Sequence, residues 1–278
     1  MVTREASRPV NGGLFHHCAL ITGASSGLGA EFARQLAPHC GTLVLVARRE
    51  EKLEELAASL RSLHPEASVG VIAADLTSGA DRLRVRRKLM EFGLQPDLLV
   101  NNAGMGDYGE FATSDWEKIQ TMLRINVEAL TALTHLLLPG MIAAGGGSVI
   151  NVSSLASLLP IPDFAVYAAT KAYVTSFSEA LRLELREHGV RVTALCPGPV
   201  HTEFGKVAQR GERGDESSFR EFFYEDAPSV VSKAIAGLAR NQPRVFPGWK
   251  VAASAAVLGI LPLCLLRLAL SRRPRRSH

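Results

Sequence analysis

Tyr167 and Lys171 are separated by Ala-Ala-Thr, and Ser154 lies thirteen positions before the tyrosine. On a helix, residues four apart share a face, so the Lys171 ammonium can stand beside the Tyr167 phenol. A free phenol titrates near ~10. A fixed cation next to it favours the phenolate and lowers that value. A hydroxyl tuned toward neutrality can exchange a proton with a reacting oxygen. The expected chemistry is acid–base catalysis by Tyr167, tuned by Lys171 and assisted by Ser154. The tyrosine–lysine spacing alone is a weak signal, and its context decides what it means.

Upstream, the apolar run Cys18–Thr22 leads directly into Gly23-Ala-Ser-Ser-Gly27-Leu-Gly29. Ala30–Leu36 then reads as a helix with Phe32, Ala33 and Leu36 on one side. Strand, glycine turn and helix in that order describe a nucleotide-phosphate site. The glycines permit close backbone approach, and the helix N-terminus offers free N–H groups and a positive dipole end. The next strand closes with Val46-Ala47-Arg48-Arg49, and no acidic residue occurs before Glu50. An acid there would bond a ribose 2′-hydroxyl, whereas a guanidinium suits a 2′-phosphate and can stack on adenine. NADP(H) is therefore the expected cofactor, with Arg48 as the main contact and Arg49 in support. NAD(H) stays open.

Together these segments resemble the short-chain dehydrogenase/reductase family in its single-domain branch. The resemblance is carried by Thr22–Gly29, Asp75-Leu76, Asn101–Gly104, Asn126, Asn151–Ser154, Tyr167–Lys171 and Pro197–Thr202, in family order. It implies an enzyme that interconverts a small-molecule carbonyl and a secondary alcohol. It implies Tyr167 as proton donor, Ser154 as its partner at the carbonyl oxygen, and Lys171 also on the nicotinamide ribose. Asn126 resembles the asparagine that anchors a water beside that lysine. The implied cofactor contacts are Thr22, Gly23, Ser25, Ser26, Gly27, Leu28, Gly29, Asp75 at the adenine amino group, and Leu76. They continue through Asn102, Ala103, Gly104, Tyr167, Lys171, Pro197, Gly198, Val200 and Thr202. No metal is implied. The thirteen-residue offset prefers Ser154 over Ser153, which remains the other candidate.

The elements that must position these residues alternate along the chain. Strands are expected over Thr42–Ala47, Val69–Ala74, Asp97–Val100, Ser148–Val152 and Val190–Leu195. Helices are expected over Glu50–Leu63, about 80–91, about 126–144, and Ala165–His188. Continuous apolar strands separated by helices predict an α/β fold, a doubly wound, Rossmann-like parallel sheet covered on both faces. Its ligand crevice would lie at the strand C-termini. One domain is expected over residues 15–250. A loose polar leader (1–14) precedes it, and an apolar tail (251–278) ending in an arginine cluster follows.

The 278 residues are 47% hydrophobic with a formal charge of +4, ample for one core and without the basic stripe that nucleic-acid binding needs. The four cysteines lack paired or metal-binding spacing, and Cys18 and Cys196 read as core residues. Residues 1–14 contain no apolar signal core, so the body reads as cytoplasmic.

Substrate identity is less legible. Leu155, Leu158, Leu159, Pro160, Ile161 and Phe164 lie between serine and tyrosine, and Phe204, Phe219, Phe222, Phe223 and Tyr224 follow the Pro197–Thr202 segment. By the resemblance, a stretch over about 199–227 forms a flap over the substrate. An apolar pocket for lipid-, steroid- or retinoid-like or aromatic ketones is one reading. Packing of the flap onto the body is the other. In the tail, Val251–Leu270 is mostly apolar, with Pro262 and Arg267 inside it and Arg272, Arg273, Arg275 and Arg276 after it. It can pack on the body or a partner subunit, lie on an anionic membrane surface as a peripheral contact through 251–276, or span a bilayer. The resemblance also implies a homodimer or homotetramer built through the helices near Asn126 and Ala165. Two rivals are a non-catalytic NADP(H) sensor and a dehydratase or epimerase on the same fold. The intact Asn126, Ser154, Tyr167 and Lys171 argue against the first, and the short C-terminal region against the second. The direction of reaction stays open, including oxidation of a hydroxysteroid-, retinoid- or acyl-type alcohol.

Overall fold

Residues 15–208, 224–260 and 264 are described by a computed structural model of the chain. The leader 1–14, residues 209–223 with Phe219, Phe222 and Phe223, and the tail beyond Ile260 apart from Cys264 lie outside the described residues.

Seven strands form one sheet: β1 (His16–Thr22), β2 (Cys40–Ala47), β3 (Ser68–Ala73), β4 (Leu98–Asn101), β5 (Gly147–Val152), β6 (Val190–Leu195) and β7 (Arg244–Val245). Their order is β3-β2-β1-β4-β5-β6-β7, and all pairs are parallel. Ile21 is in register with Leu45 on one side and with Val100 on the other. The strand order reverses between β1 and β4, so a crevice opens beyond their C-terminal ends.

Nine helices surround the sheet among the described residues. They are α1 (Gly27–Leu36), α2 (Glu50–Leu63), α3 (Gly79–Glu91), α4 (Trp116–Leu123), α5 (Leu130–Ala143), α6 (Ala165–Glu184), α7 (Glu203–Ala208), α8 (Ala227–Ala239) and α9 (Trp249–Ile260). Strand alternation sends Ala19, Ile21, Leu43, Leu45, Leu98, Val100 and Ile150 to one face, where they meet α1, α2 and α8. Cys18, Leu20, Val44, Val46, Leu99 and Val149 face the other side, where they meet α3, α5 and α6. Each such aliphatic side chain, once buried, contributes roughly 1.5–3 kcal/mol. The glycine loop and its partners therefore rest on a two-sided core.

The helix expected from about residue 126 begins ten residues earlier. The Asp115 carboxylate accepts from the Glu117 N–H at 2.9 Å and starts α4. Arg124–Ala129 then forms a π-helical turn that runs into α5. The combined helix, Trp116–Ala143, is long and apolar enough to cross a membrane, but Leu130, Leu133, Leu137 and Met141 bury its inner face against the sheet. α8 and β7 were not anticipated. The Asp226 carboxylate caps α8 at the Ser229 N–H, 2.9 Å away, with a proline in the first turn. The expected helix through His188 ends at Glu184 and gives way to a short 3-10 turn.

Candidate active site

β1 ends on Thr22, whose hydroxyl ties two loops together. It accepts from the N–H groups of Asn102 and Ala103, both at 3.0 Å, and donates to the Val100 carbonyl at 3.2 Å. The Asn102 amide returns to the carbonyls of Thr22 (2.9 Å) and Gly23 (3.2 Å). The loop after β4 is thereby sewn to the glycine loop. Gly23 adopts φ +66°, a left-handed conformation that glycine takes freely. A Cβ on Gly29 would lie 2.2 Å from the Gly23 carbonyl oxygen and 2.5 Å from Asn102 Nδ2. Only bare backbone fits there.

α1 starts immediately after this turn. Its N-cap residue, Ser26, makes no side-chain capping bond, and no acidic residue occupies its first turn. The opening N–H groups are thus left to an anion. Thr202, from the loop after β6, comes against Gly27, where a Cβ would be 3.3 Å from its side chain. Pro197 accepts the Leu155 N–H at 2.8 Å, and Val200 bridges Glu225 in parallel fashion.

At the end of β2 the two arginines differ in their contacts. Arg49 reaches the glycine loop, donating to Ser25 Oγ at 3.2 and 3.3 Å. It also pairs with Glu203 at 3.0 Å, and Lys52 joins the same carboxylate at 3.4 Å. Arg48 is exposed and forms no hydrogen bond or ion pair among the described residues. The Asp75 carboxylate accepts from the N–H and hydroxyl of Thr77 at 3.0 and 2.8 Å, and Leu76 is buried beside it.

Ser154 follows β5 and Tyr167 lies near the start of α6. The two serines divide cleanly. Ser153 Oγ donates to the Lys171 carbonyl at 2.9 Å and shares a 2.7 Å bond with Thr175, deep under α6. Ser154 Oγ accepts from the Ala156 N–H at 3.1 Å and lies near enough to the Tyr167 phenol to favour its ionised form. The Tyr167 ring stacks on Phe164 at 4.2 Å and meets Phe204 at 5.6 Å. Met105, Ile161 and Val166 complete this apolar surround. Of the other residues expected to line the substrate, those of the turn Leu155–Leu158 lie under α9.

Lys171 stands on the same side of α6, its Nζ over the phenol ring at 5.6 Å from the centroid. That ammonium also donates to the Val152 carbonyl at 2.8 Å. Asn126 sits in the π turn, which offsets it from an ordinary helical face. Its side chain clamps both backbone groups of Met105 at 2.9 Å and donates to Thr170 Oγ1 at 3.0 Å. A Cβ on Gly104 would lie 3.0 Å from Asn126 Oδ1 and 3.6 Å from Lys171 Nζ, so loop, amide and ammonium meet at one point.

The electrostatics correct one expectation. The phenol is not lowered toward neutrality: burial pushes Tyr167 up to about 12, with the Ser154 hydroxyl working the other way. Burial also pulls Lys171 down to about 8, against a smaller contribution from Cys196. Desolvation is the larger effect on the phenol, while the ammonium bonds the Val152 carbonyl and lies over the ring face. Sequence spacing placed the two groups together but could not report how dry their surroundings are. Glu203, Lys52, Thr170 and the Val152 carbonyl were not anticipated. Lys52 was legible as a cation one helical step beyond Arg49, whereas nothing in the sequence brings position 203 to position 49.

A profile of the family described as short chain dehydrogenase matches residues 17–213. The chain is 33% identical over 193 residues to the very-long-chain 3-oxoacyl-CoA reductase of Homo sapiens, covering 68% of this chain and 61% of that one. It thus spans about three-fifths of that relative's length. It is 35% identical over 224 residues to sulfoacetaldehyde reductase 2 of Chromohalobacter salexigens, covering 79% and 85%. Among solved structures, the short-chain dehydrogenase from Sphingobium yanoikuyae in complex with NADPH has a TM-score of 0.76 at 32% identity, over 94% of this chain and 98% of that one.

Proposed function

The chain belongs to the short-chain dehydrogenase family, and on that premise we propose that it reduces the carbonyl of a bulky, largely apolar compound with NADPH. It is an oxidoreductase acting on CH–OH and C=O groups, as its relatives are. The observation that carries the finer reading is the meeting of Ser154, Tyr167 and Lys171 beside the loop after β4, under the aromatic cover of Phe164 and Phe204.

The residues present fit a dinucleotide. At Gly23 and Gly29 a Cβ would collide with the Gly23 carbonyl and the Asn102–Ala103 loop, so only bare backbone holds this turn closed, and the start of α1 is free of competing carboxylates. Residues Thr22–Gly29, Asn102–Gly104 and Thr202 would hold the phosphates and ribose, with Asp75 and Leu76 at the adenine. Arg49 with Lys52, and Arg48 beside them, would hold a 2′-phosphate. When bound, the nicotinamide supplies a hydride to the carbonyl carbon. The solved relative carrying NADPH supports the choice of cofactor.

Ser154 and Tyr167 donate hydrogen bonds to the carbonyl oxygen. Donors already aimed at developing negative charge lower a barrier by on the order of 3 kcal/mol each. The raised pKa keeps the Tyr167 phenol protonated at neutral pH, so it enters the reaction as an acid and passes its proton to the oxygen. Lys171, charged below about 8, then stabilises the phenolate left behind. Asn126 holds Met105 and Thr170 in place beside that lysine. The same groups serve alcohol oxidation in reverse.

Assaying apolar ketones by loss of NADPH absorbance tests this, with Tyr167→Phe as the control. Phenylalanine keeps the stacking on Phe164 and Phe204. Turnover should fall by ~10²- to 10⁴-fold while NADPH affinity is nearly kept. A variant that still turns over normally removes Tyr167 from the chemistry.

A second reading concerns where the enzyme works. On α9, Trp249, Ala253, Ala256, Val257 and Ile260 are exposed and fall on one stripe that continues to Cys264. The opposite face buries Val251 and Ala255. No acidic residue follows Trp249, and Arg267, Arg272, Arg273, Arg275 and Arg276 come next in sequence. This supports a cytoplasmic enzyme resting on an anionic membrane surface. Flotation with anionic liposomes should be lost in a chain truncated after residue 250. Equal flotation of both forms opposes it. Exposed Trp116, Leu123, Tyr173 and Leu183 on α4 and α6 support a homodimer or homotetramer, measurable by light scattering.

A further inference from the structure

The six-residue helix α7 touches two places that the reaction needs. Its first residue, Glu203, places one carboxylate oxygen 3.0 Å from Arg49 and the other 3.4 Å from Lys52. Arg49 in turn bonds Ser25 of the glycine loop. The next residue, Phe204, lies 5.6 Å from the Tyr167 ring. It also presses on the loop after β4, where a Cβ on Gly106 would be 3.0 Å from it. At the far end of α7, the Ala208 carbonyl accepts the Tyr108 N–H at 2.7 Å. One short helix is thus fastened at its start to the basic residues Arg49 and Lys52 at the start of α2, and covers the phenol one residue later.

We propose that Glu203 is an intramolecular substitute for the 2′-phosphate, a residue that sets cofactor selectivity and couples phosphate capture to the uncovering of Tyr167. This rests on the reading of Arg49 and Lys52 as the phosphate-holding pair. A carboxylate brings one negative charge and two acceptor oxygens. A phosphate monoester brings nearly two charges and three acceptor oxygens, and pairs with guanidinium in the same forked geometry. It therefore displaces the carboxylate, whereas the 2′-hydroxyl of NADH carries no charge with which to do so. Glu203 is half exposed, so its hold is that of a surface ion pair and is readily exchanged. Freed from Arg49 and Lys52, the start of α7 is released, and Phe204 moves with it.

The test uses the full chain without cofactor and two probes, adenosine 2′,5′-bisphosphate and adenosine 5′-monophosphate, titrated by calorimetry into wild type and Glu203→Gln. The glutamine keeps the shape and removes the charge. The variant should bind the 2′,5′-bisphosphate about 3- to 10-fold more tightly, the range expected for releasing exposed ion pairs, with 5′-monophosphate binding unchanged. A second readout follows Tyr167 directly by fluorine NMR of protein labelled with 3-fluorotyrosine, its resonance identified by loss in Tyr167→Phe. In wild type the 2′,5′-bisphosphate should move that resonance toward its position in free Glu203→Gln, and the 5′-monophosphate should not. Unchanged or weaker 2′,5′-bisphosphate binding by the variant overturns the proposal, as does a Tyr167 resonance indifferent to the 2′-phosphate. Wild-type protein that binds neither probe refutes the underlying dinucleotide site itself, and this proposal with it.

Discussion

Replacing Lys171 with methionine separates what the lysine does for the reaction from what it does to the fold. Lys171 is only 5% exposed, and burial pulls its pKa from 10.5 to about 8. A base whose folded value lies below its unfolded value binds fewer protons when folded. Stability therefore rises with pH between the two values. The deficit is fully present below about 8 and has vanished above 10.5. At 1.36 kcal/mol per pH unit it amounts to about 3 kcal/mol near neutrality. Methionine keeps most of the aliphatic stem and carries no charge. Urea unfolding of both proteins from pH 7 to pH 10 reads the difference. Wild type should gain about 2–3 kcal/mol relative to the variant across that range, most of it above pH 8. Tyr167 has the opposite sign, since stability from a raised acid is lost as pH climbs from 10 toward about 12. Its titration lies above the scan and is common to both proteins. Turnover and NADPH affinity should both fall in the variant. Parallel stability curves would show that this ammonium is not desolvated at the fold's expense, and would refute the reasoning.

Two further substitutions probe the supports of the site. Gly29→Ala must displace the Gly23 carbonyl or the Asn102 amide, and should destabilise by about 1–3 kcal/mol while weakening NADPH binding in a fluorescence titration. Full-strength binding would mean that the loop relaxes without cost. Asn126→Ala leaves the part-buried backbone groups of Met105 without their side-chain partner and should destabilise by about 1–3 kcal/mol, with turnover falling together with stability. A stable but inactive variant would instead assign Asn126 to the chemistry beside Lys171 and not to the fold.

Much of the fold was legible because both faces of the sheet are buried. Continuous apolar runs bounded by polar turns marked the strands, and β6 and α2 match their expected limits to the residue. The start of α4 was missed, although Asp115 with Glu117 just after it is an N-terminal signal. The π turn explains the oversight in part, since it breaks the helical period near Asn126. β7 has two residues, too few to carry a pattern. At the site, Ser154, Tyr167 and Lys171 come together as the spacing implied. What the sequence did not carry is solvent access. Local spacing cannot say that Phe164 and Phe204 cover the phenol, that Lys171 finds the Val152 carbonyl, or that Glu203 crosses the cleft to Arg49 ahead of Arg48. These are contacts between residues far apart in the chain, and their energies depend on how much water is excluded.

The wide turn over Arg124–Ala129 makes the site sensitive to indels more than to substitutions. A π turn holds one residue more than an α turn. Removing one residue from it, as a single lost codon would, restores an ordinary helix and leaves the two halves in nearly the same relative orientation. Ile119 and Met122 before the turn, and Leu133 and Leu137 after it, are all buried and keep their footing. The change falls instead on the turn itself, where the amide at 126 would lose its place against Met105 and Thr170. At this place the chain's length is as much a part of the active site as any side chain.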